Sequence, residues 1–181
     1  VELVSDDALA DIVDGGFDAG VRFGESLAAD MIAVAIGAPQ AFVIVAAPQY
    51  LAAHGLPQTP RDLLRHACIE RRFPSGKRYA WEYQADGEPL HLSVSGPLVL
   101  EDDAVMIQAA KDGAGIAYVY EAMAQDALGP GTLTQVLNDW HSPATHLSPY
   151  YSPRRHAPPA LQALLDFVRT LPPSGPSLHA P

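Results

Sequence analysis

The amino-acid sequence predicts an α/β fold, and three observations carry that prediction. Apolar runs of the alternating or β-branched kind that favours strands recur at 17–23, 31–36 and 41–46. A segment with helical spacing separates the first of these from an apolar segment at 1–4, and such a strand–helix–strand unit implies a parallel sheet. The chain has 181 residues, 48% of them hydrophobic, which is enough to bury a sizeable core in one or two domains.

The opening helix has a start signal and a stop signal. Ser5 is a good N-cap for a helix that carries Leu9 and Ile12 on one face, and Gly15 and Gly16 end it. The order predicted for the opening is therefore strand, turn, helix and strand.

The middle of the chain predicts a short helix and several strands. Thr59 and Pro60 supply an N-cap and a proline at the first helical position for a helix over 60–66, which leads into a strand near 67–70. Three further strands are expected at 81–83, 88–94 and 98–100. Because Asp86-Gly87 marks a hairpin turn between the first two, we expect this stretch to be locally antiparallel.

The last third of the chain alternates helices and strands. Glu101, Asp102 and Asp103 precede a helix over 104–111, where their charges favour the positive end of the helix dipole. The elements expected next are a strand at 115–119, a helix at 121–128, strands at 133–136 and 146–151, and a helix that Pro158 and Pro159 begin. Residues 172–181 have the composition of a disordered tail.

Charge and composition restrict the partners of this chain. Eleven Lys and Arg against 21 Asp and Glu give a net charge of -10, which repels a phosphate backbone, so we expect this chain alone not to bind DNA. Cys68 is the single cysteine, no secretion signal opens the chain, and the longest apolar run, 41–48, is far too short to span a bilayer. These features favour a cytoplasmic location and no membrane segment.

Motifs for catalysis and metal binding are missing from the sequence. It contains no His-Glu-x-x-His, no cysteine pair, no Gly-x-Ser-x-Gly and no Gly-Lys-[Ser/Thr]. The nearest dinucleotide motif, Gly113-x-Gly115, precedes a strand instead of following one and has Tyr118 where a third small residue is needed. We therefore expect no enzymatic activity, no cofactor and no metal, with His141 and His146 as loop residues.

Five blocks of the sequence, in order, resemble the effector-binding domain of LysR-type transcriptional regulators. The most specific is the run at 11–24, DIVDGGFDAGVRFG, which is similar to the stretch after the second strand of that domain. The others are AAPQYL at 46–51 followed by His54-Gly55, TPRDL at 59–63, GAGIA at 113–117 and YSPRR at 151–155. Together the blocks cover nearly the whole chain.

The resemblance implies a two-lobed type II periplasmic-binding-protein-like fold, N-terminally truncated relative to the family. Lobe one would comprise 1–40 and 145–171, and lobe two 41–144, joined by crossing strands with a ligand cleft between them. The winged helix-turn-helix, the linker helix and the first strand and helix of lobe one would precede this part. Family members form homodimers or tetramers, so we expect the same of the parent protein.

Two segments are expected to contact the ligand, one in each lobe. Ser5 and Asp6 follow the first strand at a position that lines the effector pocket in the family, although plain helix capping is the alternative. A lobe-two loop that contacts effectors in relatives is matched by Phe73, Pro74, Ser75 and Gly76. It offers an aromatic face, a hydroxyl and closely approachable backbone, with an ordinary surface loop as the alternative.

An ion pair across the cleft is the sharpest structural hypothesis. Arg22 ends a lobe-one strand, and Glu101 and Asp102 mark a lobe-two turn expected to face it. A bidentate contact would favour the closed state and would be rearranged by an acidic effector. A solvated charge at the strand end is the alternative for Arg22.

Aromatic residues give a weaker ligand hypothesis. Tyr118 is included among the candidate ligand contacts, and Trp81 and Tyr83 flank the same region in the expected fold. Aromatic side chains on strands more often belong to the core.

The resemblance implies a sensor domain that binds a small-molecule co-inducer, of which a carboxylate or aromatic acid is the expected class. Binding would shift a conformational equilibrium and so control DNA binding through the winged helix-turn-helix of the full-length protein. The alternative is an extracytoplasmic solute-binding protein of a transport system, which shares the fold but carries a secretion signal.

Overall fold

A computed structural model describes residues 2, 4, 12, 15–23, 31–72, 76, 78–85, 88–153 and 157–171. The chain divides into two compact units. Unit 1 consists of Val1–Gln40 and Ala144–Pro181, and unit 2 of Ala41–Pro143.

The strands in chain order are β1 (Gly20–Phe23), β2 (Ile32–Ala33), β3 (Ile36–Gln40), β4 (Phe42–Ala46), β5 (Cys68–Arg71), β6 (Trp81–Ala85), β7 (Glu88–Leu92), β8 (Leu98–Leu100), β9 (Ile116–Tyr120), β10 (Thr134–Val136) and β11 (Thr145–Tyr151). The α-helices are α1 (Pro48–His54), α2 (Asp103–Lys111), α3 (Glu121–Leu128) and α4 (Pro159–Thr170). A 3₁₀ helix spans Pro60–Arg65.

Unit 1 is built around β11, which lies between β1 and β2 and also pairs with β3, all antiparallel. Gly20 of β1 stands opposite Tyr150, and a Cβ at Gly20 would lie 2.6 Å from the ring of that tyrosine. The helix α4 buries Leu161, Leu165 and Val168, whose spacing is that of one helical face. The closing helix expected from the sequence is thereby confirmed.

The opening strand–helix–strand unit expected in lobe one falls mainly outside the described residues. Its second strand is confirmed as β1, four residues long and antiparallel to β11. The parallel pairing expected from the unit stays a prediction, as does the disordered tail at 172–181.

Unit 2 contains a five-stranded mixed sheet in the order β10-β4-β9-β5-β8. The strand β4 runs antiparallel to β10 and β9, whereas β9, β5 and β8 run parallel to one another. The residues Val43, Ile44, Val45 and Ala46 of β4 are all buried. Because successive strand residues face opposite sides of a sheet, both faces of β4 are covered.

The strands expected between 81 and 100 are present, but their pairing differs in part. The hairpin is confirmed, since β6 and β7 pair antiparallel with Ala85 opposite Glu88. The antiparallel expectation is wrong for β8, which pairs parallel with β5 and places Ile69 opposite Leu98. The hairpin separates β5 from β8 in sequence, so the chain has enough length to return to the sheet in the same direction.

The short helix after Thr59 is a 3₁₀ helix, one residue shorter than expected. Its start is fixed by Asp62, whose carboxylate accepts hydrogen bonds from the backbone N–H groups of Thr59 at 2.8 Å and Gln58 at 3.0 Å. These bonds lower the pKa of Asp62 because they favour the charged carboxylate.

Gly115 allows β9 to lie close to the chain that enters β5. The N–H of Ile116 donates to the carbonyl oxygen of Ala67 at 2.9 Å. A Cβ at position 115 would collide with that same oxygen. The glycine of the 113–117 block is therefore required by the approach of two backbones.

We expect Gly115→Ala to lower the free energy of unfolding by about 1–3 kcal/mol, because the added methyl group pushes β9 away from β5. The matched control is Gly129→Ala, since Gly129 has helical backbone angles and its Cβ would meet only the carbonyl oxygen of Gln125 at 3.5 Å. Chemical denaturation of both variants measures the difference, and equal stabilities would contradict this account of the glycine.

Candidate ligand-binding site

The parallel strands of unit 2 end at one edge of the sheet, where ligands bind in open α/β folds. The strand β5 ends at Arg71 and is followed by Arg72, while β8 is followed by Glu101, Asp102 and Asp103. We call these five residues the carboxyl edge. Charged groups of both signs meet there although they lie about thirty residues apart in the sequence.

Arg71 forms the buried part of the carboxyl edge. Its side chain is 11% exposed and its Nη2 donates to Oδ1 of Asp103 at 2.5 Å, while Nη1 lies 3.5 Å from the carbonyl oxygen of Glu101. The guanidinium carbon lies 5.9 Å from the centre of the Phe42 ring, within the range of a cation–π contact. Because both charged groups are largely removed from water, this pair holds the end of β5 to the start of α2.

Arg72 forms the exposed part of the carboxyl edge. Its Nε and Nη2 donate to Oε1 of Glu101 at 3.0 and 2.9 Å, and both side chains are 51% exposed. Exposed pairs of this kind contribute little free energy. The Arg72–Glu101 contact is therefore one that a ligand carboxylate can replace at small cost.

The residue before these arginines is also paired. The carboxylate of Glu70 is 5% exposed and accepts from Nη1 of Arg78 at 2.7 and 2.9 Å. It lies 3.4 Å from the N–H of Gly96 as well. Glu70, Arg71 and Arg72 thus connect the end of β5 to three other segments of unit 2, at Arg78, at Gly96 and at 101–103.

Four aromatic rings stack beside Arg71. Phe42 stacks on Tyr118 at 4.5 Å and 7° and on Tyr120 at 4.1 Å and 28°, and Tyr79 lies 5.7 Å from it. We call these four residues the aromatic cluster. Flat apolar surfaces next to guanidinium groups are the surroundings that an aromatic acid needs.

Two of the candidate ligand residues belong to the carboxyl edge. Glu101 is exposed and engaged by Arg72, whereas the carboxylate of Asp102 accepts from the N–H of Val105 at 3.0 Å and caps α2. In the structure Asp102 therefore caps α2, whereas Glu101 forms an ion pair with Arg72.

Tyr118 belongs chiefly to the core. It is 1% exposed and its hydroxyl donates to the carbonyl oxygen of Glu82 at 2.7 Å. Trp81 and Tyr83 pack against its ring at 5.2 and 5.8 Å and are buried too. Burial raises the pKa of Tyr83, so its hydroxyl stays protonated.

The other candidate residues are described only in part. Outside the described residues lie Ser5, Asp6, Phe73, Pro74 and Ser75. The backbone of Arg22 lies in β1 opposite Ser148, but its side chain is not among those that the structure describes. Gly76 is exposed with a left-handed φ of 82° and open space around it. The pairing of Arg22 with Glu101 or Asp102 and the ligand role of the loop therefore stay predictions.

Sequence reasoning missed Arg71, Arg72 and Phe42. A signal was present, because two arginines directly follow the apolar strand expected at 67–70. A charged pair at the carboxyl end of a buried strand marks the edge where ligands bind, but the sequence alone did not show that β8 would lie beside that strand.

Candidate metal sites do not emerge from the described part of the chain. No group of three or more His, Cys, Asp or Glu there is arranged to hold a metal ion. His146 lies in β11 and not in a loop, because its segment pairs with β3 and β1.

No helix among the described residues is long and apolar enough to cross a bilayer.

Comparison with known proteins gives the class of the fold. The sequence profile of the LysR substrate binding domain matches residues 1–172. The full-length structure of AphB, the virulence activator of Vibrio cholerae and a member of the LTTR family, superposes with a TM-score of 0.75 at 28% identity, covering 92% of this chain and 56% of AphB. The regulatory domain of CrgA from Neisseria meningitidis has the same fold, with a TM-score of 0.67 at 23% identity over 86% of this chain and 76% of that domain.

The curated relatives of this chain are transcriptional regulators as well. The uncharacterized HTH-type transcriptional regulator YcaN of Escherichia coli K12 is 41% identical over 170 residues, 94% of this chain and 55% of YcaN. The HTH-type transcriptional regulator PgrR of the same organism is 34% identical over 172 residues, 93% of this chain and 57% of PgrR. The fold is thus the two-lobed, periplasmic-binding-protein-like α/β fold of LTTR regulatory domains. The chain belongs to the LysR substrate-binding domain family.

The family expectation from the sequence is confirmed, and the transport alternative has no support among these relatives, which are transcriptional regulators. The chain spans about half the length of the curated relatives it matches, 55% of YcaN and 57% of PgrR.

We expect Arg71→Met to lower the free energy of unfolding by about 3 kcal/mol, because it leaves the largely buried carboxylate of Asp103 without its partner. The matched control is Arg72→Met, which breaks an exposed pair and should cost less than about 1 kcal/mol. Urea denaturation of the two variants measures the difference. Similar losses for both would show that the Arg71–Asp103 pair does not hold β5 to α2.

We expect Cys68 to be unreactive in the folded protein. It is fully buried, and burial together with the charge of Glu70 raises the pKa of its thiol to about 12, so the reactive thiolate is scarce at physiological pH. Ellman's reagent should modify Cys68 no faster than the protein unfolds, and should modify it completely in concentrated guanidinium. Rapid modification under native conditions would disprove this burial.

Proposed function

We propose that this chain is the effector-sensing part of a LysR-type transcriptional regulator. A small-molecule co-inducer binds in the cleft between lobe one and lobe two, and occupation of that cleft changes DNA binding by the full-length protein. The observation that carries the proposal is the family match over residues 1–172. The division of the chain into two compact units at Gln40 and Ala144, close to the expected lobe boundaries, supports it.

We propose the following for the parent protein, by analogy with the same relatives. The parent protein acts in the cytoplasm, has no enzymatic activity and forms a homodimer or tetramer. It contacts DNA through a winged helix-turn-helix domain outside this chain. The support is that the relatives are HTH-type regulators of which this chain covers 55% and 57%.

We propose a small carboxylate, and within that class an aromatic acid, as the effector. The carboxyl edge supports this choice because Arg72 is half exposed and its partner Glu101 is held only by an exposed ion pair. Nε and Nη2 of Arg72 both donate to one oxygen of Glu101. A ligand carboxylate replaces Glu101 there and can accept from this fork with both of its oxygens. The aromatic cluster beside Arg71 favours a ligand with a planar ring.

Arg22, Ser5, Asp6 and the loop at 73–76 complete the proposed cleft from the positions that the family resemblance assigns to them. In this proposal Arg22 pairs with Glu101 in one conformational state. In the other state the ligand binds one of these two residues in place of its partner. Regulation requires that the effector bind these two states with different affinities.

The test is a titration of this chain with benzoate and other small carboxylates, followed by thermal shift at fixed protein concentration and by calorimetry. Glu101→Gln frees Arg72 and should raise the affinity for the acid about fivefold, whereas Arg72→Gln should lower it by a similar factor. Ser75→Ala and Arg22→Ala should also weaken binding without changing the unliganded midpoint.

The matched control is Asp112→Asn, which removes one exposed negative charge outside the carboxyl edge and should leave acid binding unchanged. If Glu101→Gln and Arg72→Gln shift the affinity in the same direction, Arg72 is not the carboxylate receptor. If no carboxylate binds either this chain or the full-length regulator, the proposed effector class is wrong.

A further inference from the structure

Unit 2 contains a cavity of about 250 Å³ whose lining shares no residue with the carboxyl edge. It lies beside the first half of β4 and the end of β10, and the chain from Leu137 to Ser142 borders it. We call it the β4–β10 cavity. Its volume is slightly below the range of about 300–1,000 Å³ typical of drug-sized ligands, so its occupant is about one ring in size.

The walls of the β4–β10 cavity are aromatic on several sides. Phe42, Tyr118 and Trp140 line it, and the first two are stacked in parallel at 4.5 Å. Phe42 also stacks on Tyr120, and Tyr118 on Trp81. A planar ligand would therefore gain contact area mainly at the ring of Trp140, which favours a flat molecule.

The polar lining determines the charge of the ligand. Neutral amide and hydroxyl groups come from Gln135, Asn138 and Ser142, and His141 adds an imidazole. Glu121 is the single lining residue with a formal charge at neutral pH. An anion would therefore meet a carboxylate and no cation, whereas a neutral or cationic ligand would meet acceptors and a negative charge.

The wall formed by residues 137–142 is fixed on two sides. The N–H of Trp140 donates to the carbonyl oxygen of Leu137 at 2.9 Å, and the carbonyl oxygen of His141 accepts from Gln84 of β6 at 2.8 Å. Leu137 has a φ of 56° and is the only non-glycine residue with a positive φ in the described part of the chain. Such strained conformations persist where surrounding contacts enforce them and concentrate at ligand sites.

We propose that the β4–β10 cavity is a second ligand site, one that takes a small planar molecule that is neutral or cationic, such as a monocyclic amide, amidine or aromatic amine. Phe42 and Tyr118 of the aromatic cluster border both this site and the proposed effector site, but the cavity contains none of the carboxyl-edge residues and selects the opposite charge. It needs no contribution from unit 1, since every lining residue belongs to Ala41–Pro143.

The experiment compares three probes of nearly the same shape: benzamidine, benzamide and benzoate, which are cationic, neutral and anionic. Each is titrated into the isotopically labelled chain, and the indole N–H signals of Trp140 and Trp81 are followed by NMR. The signal of Trp140 is assigned with Trp140→Phe. We expect benzamidine and benzamide to shift the Trp140 signal, with benzamidine binding about fivefold tighter, and benzoate to shift it at least tenfold more weakly than benzamidine.

Two exposed or half-buried positions give variants with opposite expected effects. Glu121→Gln should remove the preference for benzamidine over benzamide and leave benzamide affinity unchanged. Gln135→Glu should increase that preference severalfold by adding a second negative charge to the lining. The control Asp112→Asn removes a negative charge outside the lining and should change neither affinity.

Two results would overturn the proposal. One is a Trp140 signal that none of the three probes shifts at millimolar concentration in the folded protein. The other is benzoate shifting the Trp140 signal with the same affinity as benzamidine, and Glu121→Gln leaving the ratio of these two affinities unchanged. Because the proposed effector site is tested by acids at Arg72 and this cavity by cations at Trp140, either proposal can fail while the other stands.

Discussion

The parallel pairing of β5 with β9 and β8 is the constraint on which the candidate site depends. It requires two backbones to approach more closely than a side chain permits, because a Cβ at Gly115 would collide with the carbonyl of Ala67 and a Cβ at Gly96 with the backbone of Cys68. With glycine at both positions the three strands run side by side and end together. The arginines after β5 and the acidic residues after β8 then meet, which their separation in sequence does not indicate.

The two arginines at that edge differ in what they can do. Arg71 is buried, paired with Asp103 and placed beside Phe42, so displacing its carboxylate would leave a buried charge without a partner. Arg72 and Glu101 are both half exposed, so water competes with the bond between them. Arg71 thus supports the sheet, whereas the contact of Arg72 can be broken without weakening the sheet, as the proposed carboxylate binding requires.

Much of the fold is readable from the sequence, because capping residues and apolar runs determine it locally. Pro158 and Pro159 begin α4, Asp102 caps α2, and the Asp86-Gly87 pair separates two strands that do form a hairpin. The pairing of β8 was not readable, since a three-residue apolar strand fits a parallel or an antiparallel neighbour equally well. The partners of Arg71 and Arg72 follow from that pairing, so local patterns alone indicated the acidic residues of the site but not the guanidinium groups that face them.

The position of the β4–β10 cavity along the chain suggests how it could be coupled to the proposed effector site. Ala41 and Ser142 both line it, and the chain passes between the two units at Gln40–Ala41 and at Pro143–Ala144. A ligand held in the cavity therefore contacts residues next to both connections, and its binding free energy includes any change in their conformation. If effector binding also changes those connections, linkage requires the two ligands to alter each other's affinity by the same factor. The coupling would then reside in two short backbone segments, and no continuous path of side chains between the sites would be needed to carry it.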